Sequence, residues 1–149
     1  MHQIVYVSTA TVPVSEADLE RLLQRWAQNN VRDGITGLLL YAESDGRFMQ
    51  VIEGEEVVLR TLFALIEQDY RHRDLLKLAD GPIARRHFTS WLMGFNVHST
   101  AVFAQIPGYV EPGSAAFQQA LATTSDALIR TLLDTFLARH APGRAALRS

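Results

Sequence analysis

The chain of 149 residues contains no cysteine, no long apolar run and no basic tract. The lack of cysteine excludes disulfides, thiol chemistry and cysteine metal sites. No apolar stretch approaches the roughly 20 residues that a membrane-spanning helix needs. A formal net charge of −2 argues against a general nucleic-acid binder. Together with an N-terminus that enters a strand directly, these absences predict a cytoplasmic protein without a nucleic-acid or membrane partner.

The composition is that of a folded globular domain. It is 48% hydrophobic and 20% charged, and the length suffices for one core with a short appendage. The five histidines, at positions 2, 72, 87, 98 and 140, show no ligand spacing. The sequence therefore predicts no metal site.

The stretch from Gly34 to Gly54 organises the chain. Ile35 to Tyr41 is an apolar run with strand character, Asp45-Gly46 suits a tight hairpin turn, and Arg47 to Glu53 is the return strand. Alternation places Gln50 in the middle of that strand, on an apolar face. A buried carboxamide must be hydrogen-bonded, because leaving it unpaired costs roughly 1–3 kcal/mol. Two interpretations stay open: a glutamine paired within the core, or one whose partner is a polar ligand.

Periodicity predicts the other elements of the main domain. Strands are predicted over residues 3–8, 75–79 and 89–95. One helix is predicted to begin at a capping box formed by Ser15 to Asp18 and to end at about Asn29, and a second to run from about Glu55 to Asp69. Glu53, Glu55 and Glu56 are interpreted as charge at a helix N-terminus rather than as paired catalytic carboxylates. The order β-α-β-β-α-β-β predicts an α+β fold, a ferredoxin-like sheet with two helices on one face.

The opposite face of that sheet is also apolar, through Val5, Val7, Met49 and Val51. Such a face is not left in water, so something must cover it. The C-terminal stretch is the candidate, because it carries a wide apolar stripe of Leu128, Ile129, Leu132, Leu133, Phe136 and Leu137. We expect residues 1–96 to form the main domain and residues 97–149 a helical extension packed on the sheet in the same globular unit.

Six segments of the sequence, taken together, are specific enough to indicate a protein family. They are IVYVS, the helix ending in NN, DGITGLLLY, FMQVIEG, DYRH, and RxFxxWxMGF from Arg86 to Phe95. In this order and at these separations they resemble the BLUF domains, flavin-based sensors of blue light. The resemblance runs from Ile4 to about Phe95 and implies FAD bound non-covalently between the two helices. FMN and riboflavin stay open, because Leu65 stands where some members carry a basic or histidine residue that would contact phosphate.

The resemblance assigns roles around the flavin ring. Tyr6 matches the photoactive tyrosine, and Gln50 matches the glutamine between that tyrosine and flavin N5 and O4. Asn30 matches the asparagine that hydrogen-bonds the carbonyl side of the ring. Trp91 and Met93 match the pair on the fifth strand that exchange places near the glutamine.

Further matches lie at the ends of the two helices. Asn29 matches the polar position that precedes the asparagine, and Asp69, Arg71 and His72 match a segment near the ribityl-phosphate portion. Trp26 departs from the family, which commonly has a small residue there, often serine. It lies one helical turn before the asparagine, on the same side. We hypothesise that Trp26 lies near the flavin and either shapes the pocket or competes with the photoactive tyrosine as electron donor.

The implied function is photoreception without substrate turnover. Light-driven, proton-coupled electron transfer from Tyr6 would leave Gln50 rotated or as its imidic tautomer, with a new hydrogen bond to flavin O4 and a red-shifted absorption. The signal would pass through the fifth strand and the C-terminal helices to an unidentified protein partner. A homodimer is expected, because such helices and sheet edges offer self-complementary surface.

Two alternative functions stay open. An acylphosphatase-type hydrolase would need an anion-binding loop with a catalytic arginine after the first strand, and Thr9 to Val14 contains neither glycine nor arginine. A flavin-free small-molecule binding or oligomerisation module is the other alternative. Colour separates them, because a purified photoreceptor should be yellow and should shift reversibly to the red under blue light.

Overall fold

The computed structural model describes residues 1–11, 16–96, 109–110, 114–122 and 126–139. Within these ranges the chain forms five strands and four helices. They are β1 (His2–Ala10), α1 (Glu16–Arg32), β2 (Thr36–Ala42), β3 (Arg47–Gly54), α2 (Glu56–Gln68), β4 (His72–Pro82), β5 (Trp91–Asn96), α3 (Ala115–Ala122) and α4 (Ala127–Arg139).

The five strands form one mixed sheet in the order β4-β1-β3-β2-β5. All neighbours are antiparallel except β2 and β5, which run parallel. The central strand is β3, where Gln50 lies opposite Tyr6 on one side and Leu39 on the other. The predicted α+β fold is confirmed, and the predicted glutamine lies at the centre of the sheet.

Each face of the sheet carries its own hydrophobic core. The first core joins α1 and α2 to the sheet through Ile4, Tyr6, Leu19, Leu23, Ile35, Leu39, Ile52, Leu59, Phe63, Trp91 and Met93. The second core joins α3 and α4 to the other face through Val5, Leu38, Leu40, Met49, Val51, Phe88, Phe117, Ile129 and Leu133. Among the described residues, therefore, the C-terminal helices lie over the face that α1 and α2 leave uncovered.

Several predicted boundaries and placements differ from the structure. The first helix runs on to Arg32, β4 extends well beyond residues 75–79, and β5 begins at Trp91. The placement of Leu128 on the buried stripe is wrong, because that side chain is 44% exposed. Ser15, with which the predicted capping box begins, and the side chain of Leu137 lie outside the described residues. Among the described helices, none has the length and hydropathy needed to cross a bilayer.

Gly37 permits an unusually close approach of β2 to β3. Its φ is 147°, and a Cβ atom at this position would lie 1.9 Å from the backbone oxygen of Val51. The same residue pairs with Trp91 and donates its N–H to the carbonyl oxygen of Ser90 at 3.2 Å. A side chain here would therefore displace backbone on β3 and disturb the entry into β5.

The edge strand β4 is irregular. Its register with β1 shifts between Val5 and Tyr6 and again between Val7 and Thr9. Asp74 adopts a left-handed conformation, with φ 53°. These irregularities bend the strand away from a flat, regular edge.

Candidate functional site

A cavity opens between α1 and α2 over the central strands. The space between the protein atoms there, counted out into its open mouth, is about 850 Å³. Its floor comes from the strands, through Tyr6, Ser8, Leu39, Phe48 and Gln50. Its walls and rim come from the helices and the start of β4, through Leu19, Leu22, Trp26, Asn29, Asn30, Leu62, Ile66, Asp69, Arg71 and His72.

Tyr6 and Gln50 form a hydrogen-bonded pair in the cavity floor. The phenol donates its O–H to Oε1 of Gln50, and the residues are only 5% and 7% exposed. Burial, with a smaller contribution from the negative charge of Asp69, raises the pKa of Tyr6. The phenol therefore keeps its proton in the resting site, and the amide oxygen is the acceptor nearest to that proton.

The two asparagines lie together in the last turns of α1. Asn30 is buried and Asn29 is half-buried, and both line the cavity. The carbonyl oxygen of Asn30 accepts the N–H of Ile35 at 2.8 Å, which fixes the turn into β2. Their side chains bring amide donors and acceptors to the cavity.

An ion pair at the cavity rim joins the residues that follow α2. The Nε atom of Arg71 donates to Oδ1 of Asp69 at 2.8 Å, and its backbone N–H donates to the same oxygen at 2.9 Å. The side-chain hydrogen bond from Arg71 lowers the pKa of Asp69. The guanidinium carbon lies 5.7 Å from the centre of the Trp26 ring. This cation–π contact links α1 to the segment after α2.

His72 lies between that rim and the hydrogen-bonded pair. Its Nε2 contacts the carbonyl oxygen of Ile66 near the end of α2. The imidazole also lies edge-on to the Tyr6 ring, with 6.5 Å between ring centres, while Phe63 packs against the ring at 5.6 Å. Contacts from α2 and from the start of β4 therefore hold the phenol in one orientation.

Trp91 and Met93 are not on the cavity wall. They are 4% and 0% exposed and belong to the same core as Tyr6 and Leu39. The indole Nε1 of Trp91 is buried and has no hydrogen-bond partner among the described residues. The carbonyl oxygen of Met93 accepts the N–H of Val110 at 2.7 Å. The pair lies on β5, next to β2, on the same face of the sheet as the floor of the cavity.

Two residues were missed or misread in the sequence. Ser8 lies in the cavity floor, 2% exposed, and its hydroxyl has no hydrogen-bond partner among the described residues. Ser8 is two residues after Tyr6 in the same strand, so alternation puts both side chains on one face, and this was the available signal. The interpretation of Glu53 as helix N-terminal charge is wrong. Its side chain is fully buried and accepts hydrogen bonds from Thr36 and from the backbone of Phe88.

The residues present fit a flavin. The apolar walls suit a planar ring, and the amides of Asn29, Asn30 and Gln50 match a ring edge with N–H and carbonyl groups. The hydroxyl of Ser8, which has no partner within the described part of the chain, offers one more hydrogen bond. In the described part of the chain, no group of three or more His, Asp or Glu side chains is placed to hold a metal ion.

A family model described as "BLUF: Sensors of blue-light using FAD" matches residues 1–94. The chain therefore belongs to the BLUF family, photosensory domains that bind FAD and respond to blue light. The resemblance seen in the sequence is thereby confirmed.

The chain is similar to parts of several longer proteins and to one short BLUF protein. The photoactivated adenylate cyclase subunit beta of Euglena longa is 35% identical over 85 residues, which are 57% of this chain and 10% of that protein. Among solved structures, a manganese and cy-diGMP complex of Klebsiella pneumoniae BlrP1 has a TM-score of 0.67 and 29% identity, over 96% of this chain and 33% of that one. BlrB, described as a BLUF protein in its dark state, has a TM-score of 0.58 and 28% identity, over 97% of this chain and 89% of that one. Another BlrP1 structure is described as containing FMN. The match thus spans about a tenth of that Euglena protein's length.

Proposed function

We propose that this chain is a blue-light receptor in which Tyr6 and Gln50 are the photoactive pair. The observation that carries the proposal is the buried hydrogen bond from the phenol to the amide, in the floor of a cavity that suits a flavin. A flavin excited by blue light supplies a strong oxidant, and the protein supplies its position and the response.

The resting state of the pair couples electron loss to proton loss. Because the pKa of Tyr6 is raised, the phenol is neutral at rest, and an oxidised phenol that keeps its proton is a strong acid. Oε1 of Gln50 already accepts that hydrogen, so it would take the proton from the oxidised phenol while the NH₂ group of the same amide gives one proton to the bound flavin that has taken the electron. The electron and one proton would then return to the Tyr6 phenoxyl, and the amide, which carries donor and acceptor groups on one carbon, would be left rotated or as the imidic tautomer. In that state it would donate a hydrogen bond to flavin O4, and the absorption would shift to the red.

The other residues of the cavity hold the cofactor. Asn29 and Asn30 would bind the polar edge of the ring, and Asp69, Arg71 and His72, which line the rim, would hold the ribityl-phosphate portion. FAD is the expected cofactor, and FMN and riboflavin can occupy the same ring site. Trp26 forms part of the wall.

The signal leaves through β5 and the C-terminal helices. Rearrangement at Gln50 changes the packing of Trp91 and Met93, which belong to one core with its hydrogen-bond partner Tyr6, and β5 passes the change to the helices on the other face. The receiver is a protein partner, in a homodimer of this chain or in a separate effector. The cyclase names of the Euglena relatives support an effector coupled to such a domain.

A spectroscopic comparison of three proteins tests the proposal. Wild-type protein loaded with FAD should shift reversibly to the red under blue light. Gln50→Glu should bind FAD and lose the shift, because a carboxylate lacks the amide donor. Gln28→Glu, an exposed change on α1, should behave as wild type. A full red shift in Gln50→Glu would refute the role given to this amide.

A further inference from the structure

A buried carboxylate outside the cavity ties the centre of the sheet to the segment that precedes β5. Glu53 is 0% exposed and lies on β3, three residues after Gln50 but on the opposite face. Its Oε1 accepts the hydroxyl of Thr36 at 3.0 Å and the N–H of Phe88 at 2.7 Å. Its Oε2 accepts the N–H of His87 at 3.0 Å. Three donors converge on one buried side chain.

These bonds fix the connector of residues 83–90 just before it becomes β5. The guanidinium of Arg86 donates to the hydroxyl of Thr36 at 2.8 Å and to the backbone oxygen of Glu53 at 3.2 Å. Four residues on, the carbonyl oxygen of Ser90 accepts the N–H of Gly37, where β5 begins to pair with β2. The position of the strand that carries Trp91 and Met93 therefore depends on the anchor at Glu53.

The same connector contacts α4. The ring of Phe88 is 1% exposed and belongs to one hydrophobic core with Ile129 and Leu133 of that helix. Nε2 of His87 lies 3.9 Å from Oδ2 of Asp126. Asp126 in turn accepts the N–H of Ile129 at 3.0 Å and so caps the helix. Two consecutive residues thus hold Glu53 with their backbones and α4 with their side chains.

We propose that Glu53 is a positioning residue that couples β3 and β5 to α4 through the peptides of His87 and Phe88. This link would be part of the path by which the proposed photoreceptor passes its signal from the sheet to α4. Only its response to light rests on the proposed function. The mechanical link itself exists in darkness and without cofactor. It requires a carboxylate, because both oxygens accept backbone N–H groups. In the Glu53→Gln variant an NH₂ group would face at least one of those N–H donors.

Site-specific amide hydrogen exchange in the dark tests the link without any light reaction. Glu53→Gln should speed exchange across residues 126–139 by tenfold or more, while exchange across α2, which packs on the opposite face, stays within about twofold. Glu55→Gln is the matched control, because Glu55 is exposed and its side chain makes no capping hydrogen bond. It should leave both regions unchanged. Equal acceleration in both regions, or none in residues 126–139, would overturn the proposal.

Illumination adds a second readout. Flavin-loaded Glu53→Gln should keep the red shift, because Tyr6 and Gln50 are untouched, and should lose the light-minus-dark exchange difference across residues 126–139. A difference of wild-type size in this variant would also overturn the link. If the wild-type protein showed no red shift, the proposed photochemistry would be refuted. The amide exchange measured in the dark would then still decide whether Glu53 is linked to α4.

His87→Ala keeps the experiment decisive if Glu53→Gln does not fold. This variant retains the backbone N–H that Glu53 accepts and removes the imidazole that faces Asp126. Exchange across residues 126–139 should rise several-fold in the dark while the amide of residue 87 stays protected. Unchanged exchange across residues 126–139 would contradict the link.

Discussion

Trp26 stands where, by the resemblance described for the sequence, the family commonly has a small residue. Its indole forms part of the wall, and the guanidinium of Arg71 lies 5.7 Å from the ring centre. Its place in the wall supports the first of the two roles proposed for Trp26, which is shaping the pocket.

Replacing Trp26 with serine should weaken flavin binding while the red shift survives. The loss of an aromatic wall costs apolar contact of about 1–2 kcal/mol, equivalent to roughly a tenfold rise in Kd. Fluorescence titration with FAD measures the change. Trp26→Phe, which keeps a ring but not the indole, should bind nearly as wild type. Unchanged affinity and photocycle rates in Trp26→Ser would remove any role of Trp26 at the flavin.

For individual residues, the sequence predicted the placement of a side chain best where its neighbours along the chain determine that placement. Alternation alone placed Gln50 on an apolar face, and the structure puts it opposite Tyr6. Glu53 was misread because it lies at a strand-to-helix junction, where a carboxylate is ordinary. Two of its hydrogen-bond donors come from residues 34 and 35 positions further on, in a connector without periodicity. No local pattern reveals such partners.

Among the elements, β2 depends on a single glycine. Gly37→Ala should lower the free energy of unfolding by about 4 kcal/mol or more, because backbone atoms of β3 block the new methyl group and cannot move aside cheaply. Gly81→Ala meets no atom within 4 Å and should stay within about 1 kcal/mol of wild type. Urea unfolding followed by circular dichroism compares the two. Similar stabilities would show that the sheet relaxes around position 37.

The fourth helix should contribute to stability through one face only. Ile129→Ala should cost about 2–5 kcal/mol, because this fully buried side chain packs in the second core. Leu128→Ala, on the same turn but 44% exposed, should cost under about 1 kcal/mol. Thermal unfolding of both variants tests the difference. Equal losses would mean that α4 does not pack on the sheet as described.

Element types followed from periodicity, whereas element pairing did not. The two main helices and the central hairpin were predicted from spacing and turn residues. The parallel pairing of β5 with β2 brings Trp91 beside Gly37, although the two residues are far apart along the chain. The full length of β4 depends on its pairing with β1, which extends from His2 opposite Pro82 to Ala10 opposite His72. Such partners are chosen by tertiary packing, which no short window of sequence contains.

For the molecule as a whole, one charged cluster ties three elements together. Asp80 of β4 lies 2.6 Å from Nε2 of His2, 2.8 Å from Nζ of Lys77 and 3.3 Å from Arg60 of α2. The hydrogen bonds from Lys77 and then from His2 hold the pKa of Asp80 well below its usual value of 3.8. The ionised carboxylate therefore stabilises the fold.

Asp80 should stabilise the protein except in strong acid, where its carboxylate becomes protonated. Because the folded pKa lies below the unfolded value near 3.8, the stabilisation is complete above about pH 4 to 5 and is lost as pH falls through the folded pKa. Asp80→Asn should therefore reduce the free energy of unfolding by about 1 kcal/mol at pH 7 and by progressively less below pH 4. Asp74→Asn, at an exposed left-handed position, is the control. A loss that did not change with pH would exclude this ionisation as its cause.

The irregular outer strand has a consequence for crowded solutions. Two register shifts and one left-handed residue break the row of free amides and carbonyls that a neighbouring copy would need to continue the ladder. The edge formed by β4 therefore disfavours strand-to-strand association between copies of the molecule. Light scattering from concentrated samples should stay low and flat over days.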